Sequence, residues 1–180
     1  MHLRHLTALI VALILLVAAR APADTSSYGE YQVKAAFIYN FAKYVEWPAD
    51  TFESSSDPIV VTILGPPPNQ EAFEAMRGKS VRGRRLELRF VKRADEIGTT
   101  HILYVCDYER DRRGHVPDSY RNQGVLTIND LDPSGPCGGA VISFVMVDKK
   151  LRFQINLKAA RKTGLKISSQ LLKLARNVVE

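Results

Sequence analysis

Few residues of this chain are spaced to do chemistry on their own. Past the first few positions the only histidines are His101 and His115, and neither stands in the H-E-x-x-H spacing that sets two imidazoles around a zinc ion. Cys106 and Cys137 are too far apart for a C-x-x-C clip. No G-x-S-x-G elbow, Walker loop or G-x-G-x-x-G run is present. The stretch LGPPPN (Leu64–Asn69) follows a strand where a phosphate loop would stand, but proline lacks the N–H groups such a loop aims at its anion. Asp107 with Glu109, and Asp130 with Asp132, are carboxylates two apart and so open to acid–base work. In polar loops such pairs serve as solvated or capping groups, which is the preferred reading. The inventory points away from an enzyme, a metal site and a bound cofactor.

The elements that would position these residues are legible from periodicity and punctuation. In YGEYQVKAAFIYNFAKYVEWP (residues 28–48), Val33, Phe37, Asn40, Phe41 and Tyr44 fall at i, i+4, i+7, i+8 and i+11, which predicts a helix with Asn40 on its apolar face. A buried amide must be bonded, either by another segment of the fold, the preferred reading, or by a ligand. Trp47 before Pro48 ends that helix, and the indole is either a lid on the core, which is preferred, or an exposed anchor for a partner. Downstream, DPIVVTILG, RRLELRFV, HILYVC and GVLTIND read as strands and NQEAFEAMRG as a short helix with an Asn cap and a Gly stop. GAVISFVMVDKKLRFQINL reads as a hairpin turning at Asp148–Lys150. Asn156 is placed to cap a helix that stops at Gly164, and Ser168 to cap a final helix over SQLLKLARNVVE. The expected class is a single-domain α/β sandwich with a mixed central sheet, an N-terminal helix and a C-terminal hairpin plus helices.

Residues 1–23 carry a basic start, the apolar run Leu6–Ala19 and the small-residue series Ala21, Pro22, Ala23, which predict a secretory signal cut before Asp24. A membrane anchor is the competing reading, but the run is shorter than the roughly 20 residues a spanning helix needs. The remaining domain, residues 24–180, holds 23 basic and 19 acidic residues, a net charge of +4. The stretch Arg77–Arg93 has eight basic residues and one acid. Export removes nucleic acid as a partner, and a solvated strand face is preferred over a patch for anionic lipid or an acidic protein. In an exported protein Cys106 and Cys137 form either a disulfide or two packed thiols.

Two blocks, EYQVKAAFIYNFAKYVEWP and GGAVISFVMVDKKLRFQINLKAARKTGLKISSQLLKLA, resemble the YfiR-like family of exported bacterial regulators. The matching positions are Lys34, Asn40, Phe41, Trp47 and Pro48 in the first block. In the second they are Gly139, Phe153, Asn156, Ala160, Gly164 and Leu165, and then Ser168, Leu171 and Leu172. The resemblance implies a periplasmic, non-enzymatic protein that binds the periplasmic sensory domain of an inner-membrane diguanylate cyclase and holds it inactive, keeping cyclic di-GMP and biofilm formation low. It also implies that an OmpA-like outer-membrane lipoprotein can sequester the inhibitor. This chain has two Cys where the better-known pattern has two disulfides.

Candidate partner or ligand residues follow. On the predicted last helix, Ile167, Leu171, Leu174, Ala175 and Val178 form an apolar stripe that Leu172 and Val179 widen beside Arg176, a rim suited to a partner's groove if it is exposed. The alternative function is a small-molecule sensor with a pocket between the first helix and the sheet, contacted by Asn40 and Arg161. Self-association into a homodimer is a further option.

Overall fold

The computed structural model describes residues 25–106, 116–130 and 139–180. In chain order its elements are α1 (Thr25–Tyr44), β1 (Val45–Glu46), β2 (Ile59–Leu64), α2 (Glu71–Glu74), β3 (Ser80–Val81), β4 (Arg84–Val91) and β5 (Ile102–Val105). Then follow β6 (Leu126–Asp130), β7 (Ile142–Val147), β8 (Lys150–Asn156), α3 (Leu157–Lys162), β9 (Lys166–Ile167), α4 (Ser169–Leu174) and β10 (Asn177–Val179).

Eight strands form one mixed sheet in the order β10-β8-β7-β6-β5-β2-β4-β3. Its centre, β4-β2-β5-β6-β7, is parallel throughout. Among these five strands the second in sequence lies outside the first, the order of a doubly wound sheet whose direction of winding switches between β2 and β5. The continuous apolar runs IVVTIL and ILYV are what a strand covered on both faces requires. β8 turns back antiparallel to β7 through a two-residue loop in which Asp148 (φ 48°) and Lys149 (φ 59°) are both left-handed, a geometry that matches the twist of the hairpin. Lys150 thus belongs to the returning strand and not to the turn. β1 and β9 make a separate antiparallel pair that ties the end of α1 to the C-terminal elements.

The caps predicted from sequence are in place. Asn156 Oδ1 accepts from the Ala159 amide at 2.9 Å, Ser168 Oγ from the Leu171 amide at 3.3 Å, and Gly164 ends α3 at φ +72°. Two expectations fail. The buried face of α1 is Tyr31, Lys34, Ala35, Ile38, Phe41 and Ala42, continued by Val45 at the start of β1, so Val33 and Asn40 are exposed. Both candidate faces contain Phe41. The winning phase buries Ile38, Val45 and two alanines against the sheet, while Phe37 on the flank still reaches Phe153 at 5.5 Å and Phe144 at 6.0 Å.

The last helix is the second correction, because it ends at Leu174 instead of running to the end of the chain. Ala175 is extended (φ −68°, ψ 139°), the Arg176 amide bonds the Phe153 carbonyl at 2.9 Å, and Val178 and Val179 pair with Ile155 and Asn156. β-Branched residues beside an open strand edge gain more from pairing than from two further helical turns. The widened helical stripe through Val178 and Val179 therefore does not exist: Leu172 packs half-buried on α4, and Val179 stands exposed on an edge strand.

Candidate functional site

Between α1 and the carboxyl ends of the central strands lies a cluster of ionisable side chains, buried except at Glu30 and in part at Asp130. Lys34, on the inner face of α1, places Nζ 2.6 Å from Glu30 Oε1 and 3.0 Å from Asp130 Oδ1, the last residue of β6. Tyr104 on β5 donates its hydroxyl to Asp130 Oδ2 at 2.7 Å. The Tyr31 ring lies under Lys34 Nζ, and its hydroxyl is 3.7 Å from Sγ of Cys106. Gly65, at the end of β2, closes this region at φ +90°, where an added Cβ would stand 3.1 Å from the Cys106 carbonyl oxygen. The cluster adjoins the switch between β2 and β5, the position at which doubly wound sheets bind ligands. A recess of about 190 Å³ opens on the other side of the cluster, over β6, β7 and β8, lined by Glu30, Lys34, Asp130, Phe144, Met146 and Leu151 among others.

The environment sets what these groups can do. Burial works against charge on Lys34, but Asp130 and Glu30 outweigh it and raise the pKa, so the ammonium stays charged. Burial above all, with Asp130 adding to it, pushes the Cys106 thiol up to about 11. Burial and then Asp130 raise Tyr104, and burial and then Cys106 raise Tyr31. An activated nucleophile or base needs shifts in the opposite sense. The arrangement holds a cation between two carboxylates and clamps α1 to β6.

A second concentration of polar groups lies at the amino ends of the strands. His101 is buried, its Nδ1 accepts from the Val60 amide at 3.0 Å, and its ring stacks on Phe52 at 4.6 Å. Burial holds its imidazole below the ordinary value. Trp47 is half-buried, donates Nε1–H to the His101 carbonyl at 3.3 Å and meets Phe52 edge-on. A wider recess of about 710 Å³ opens beside them, lined by Asp50, Thr51, Thr100, His101, Tyr120 and Thr163 among others.

The residues proposed from sequence do not converge. Asn40 is exposed on α1, Arg161 is exposed on α3, and neither lines the recess beneath α1. Leu172, Arg176 and Val179 lie on α4, in the strap after it and on β10. Cys106 is a free buried thiol, and Cys137 lies outside the described residues, as do Asp107, Glu109, His115 and Asp132. Sequence reasoning named Lys34, Asp130 and His101 but gave none of them a place in a site. Lys34 had a signal, because it shares i, i+4 and i+7 with Ile38 and Phe41, so a correct helix phase places a lysine on the buried face. Among the described residues no group of three or more His, Cys, Asp or Glu is placed to hold a metal ion, and no helix is long and apolar enough to cross a membrane.

Residues 31–176 match the model of a family described as YfiR/HmsC-like. No curated protein matches the chain.

Proposed function

The chain belongs to the YfiR/HmsC-like family, and on that premise we propose that it is a non-enzymatic periplasmic regulator. In this reading it is exported by the signal in residues 1–23, and the domain from Asp24 binds the periplasmic sensory domain of an inner-membrane diguanylate cyclase. Binding holds the cyclase inactive, and an OmpA-like outer-membrane lipoprotein relieves the inhibition by sequestering the regulator. The observation that carries the proposal is the family match from α1 to the strap after α4, which spans nearly every described element. The buried cluster agrees with it, since its thiol and phenols are shifted away from the reactive range and its lysine is held between carboxylates.

Deleting the gene should raise cyclic di-GMP and biofilm, and the tagged exported chain should co-purify with a cyclase that carries a periplasmic domain. Unchanged cyclic di-GMP together with no cyclase in the purified complex would refute the proposal.

One observation favours a second reading, a small-ligand sensor: the recess under α1 beside the buried cluster. Its polar contacts would be Glu30, Lys34 and Asp130 in place of Asn40 and Arg161. A melting shift on screening small metabolites, lost in Lys34→Met, would support it, and no shift with any compound would dismiss it.

A further inference from the structure

The positive charge of this protein is not spread evenly. Between Lys149 and Val179 stand nine Lys and Arg and no Asp or Glu, whereas the rest of the chain from Asp24 carries 14 basic residues against 19 acids. Of the eight basic residues in the other stretch, Arg77–Arg93, five are answered within the fold. Arg77 pairs with Glu74, Arg89 with Glu87, Arg93 with Asp95 and Arg82 with Glu46, while Arg84 bonds the carbonyls of Ser54 and Asp57. Among the described residues none of the nine cations from Lys149 to Arg176 has an ion-pair partner, and all nine are exposed.

Five of them follow one edge of the sheet. Lys149 and Lys150 stand at the β7–β8 turn and Arg152 along β8. Arg176 is anchored beside Phe153 by its own amide, and Lys173 lies one turn earlier on α4. Three more, Lys158, Arg161 and Lys162, stand on α3, which continues β8 at its far end, and Lys158 and Lys162 there line a recess with Asp118 and Arg121. Only Lys166 lies apart, opposite Glu46 in the small β1–β9 pair. On the same edge Leu174 is 66% exposed, the most exposed large apolar side chain among the described residues, and it sits between Lys173 and Arg176.

We propose that the β8–β10 edge, with α3 and α4, docks the protein on a bilayer surface rich in anionic phospholipid. Two features favour lipid over an acidic protein. Protein–protein interfaces are depleted in Lys and enriched in Arg and aromatic residues, but six of the nine cations here are Lys, and the one aromatic residue of the stretch, Phe153, is buried. The charges also line an extended edge, which suits a diffuse layer of headgroups, with Leu174 placed to enter the acyl boundary. The inference rests on the export reading, and it would keep the regulator on the membrane that holds its partner.

The test uses protein recovered from the periplasmic fraction and vesicles of phosphatidylcholine with or without about 30% phosphatidylglycerol, sedimented at roughly 0.05 M and 0.5 M salt. Binding is expected only to the anionic vesicles and only at low salt. A basic side chain near such a surface contributes about a fivefold gain in partition. The variant Lys158→Gln, Lys162→Gln, Lys173→Gln, Arg176→Gln should therefore bind about 100-fold or more weakly, with its melting temperature unchanged. Arg77→Gln with Arg93→Gln, whose charges are already answered, should bind like the parent.

Equal binding to both vesicle types, binding indifferent to salt, or an equal loss in the Arg77 and Arg93 control would overturn the inference. Protein that ignores vesicles but still lowers cyclic di-GMP would overturn it alone. Protein that binds anionic vesicles and leaves cyclic di-GMP unchanged would support it while removing the regulatory reading.

Discussion

Replacing Lys34 by Met tests the clamp beneath α1. Met nearly matches the lysine stem in volume, so the change removes the charge with little loss of packing. Lys34 has 5% of its side chain exposed, Asp130 15% and Glu30 34%. Removing one member of a buried ion pair costs about 3–5 kcal/mol. Glu30 can recover water, so the lower end, about 3 kcal/mol, is expected. For a domain of this size that is a fall in melting temperature of roughly 6–12 °C, read by circular dichroism at pH 7.

Two further measurements separate the ion pair from simple damage. Combining Lys34→Met with Asp130→Asn should cost less than the two single changes summed, by about 1 kcal/mol or more. The pKa of Lys34 is raised in the fold, so its stabilisation is complete below the ordinary value of 10.5 and is lost as pH rises through the folded value. The gap between parent and variant should accordingly hold constant from neutral pH to about 10 and narrow above it. A Lys34→Met protein within about 1 kcal/mol of the parent, or costs that simply add, would refute the assignment of Lys34 as the clamp.

Other outcomes follow from the same geometry. Burial lowers the His101 pKa below 6.5, so the neutral ring is favoured in the fold, and its contribution is whole above pH 6.5 and lost as pH falls beneath it; melting scans from pH 8 to 5 should show that slope, and His101→Asn, which can still accept the Val60 amide, should flatten it. Phe41 is fully buried against Phe153 at 4.9 Å, so Phe41→Ala should cost about 3–5 kcal/mol in urea unfolding. Exposed Asn40→Ala should stay within about 0.5 kcal/mol in the same assay. Gly164 stands at φ +72° with an added Cβ 3.0 Å from Pro48 Cγ, so Gly164→Ala should lower stability by about 1–2 kcal/mol.

What the sequence determined by itself is whatever depends on neighbours along the chain. Apolar runs marked β2, β5 and β6, because a strand covered on both faces has no polar phase to confuse. The caps at Asn156 and Ser168 and the left-handed stop at Gly164 were legible, because each acts within a turn of its own position. The paired blocks at the two ends carried the family. Tertiary structure decided the rest. The phase of α1 was open, since Phe41 belongs to either face and Phe37 packs from the flank, and only the sheet beneath it chose Lys34 over Asn40 for burial. The residues SQLLKLARNVVE satisfy a helix locally, and only the open edge of β8, a partner distant in sequence, drew Asn177–Val179 into a strand. The clamp itself joins Glu30 and Lys34 to Asp130 across most of the chain, and no local pattern records a pairing that exists only once β6 is placed under α1.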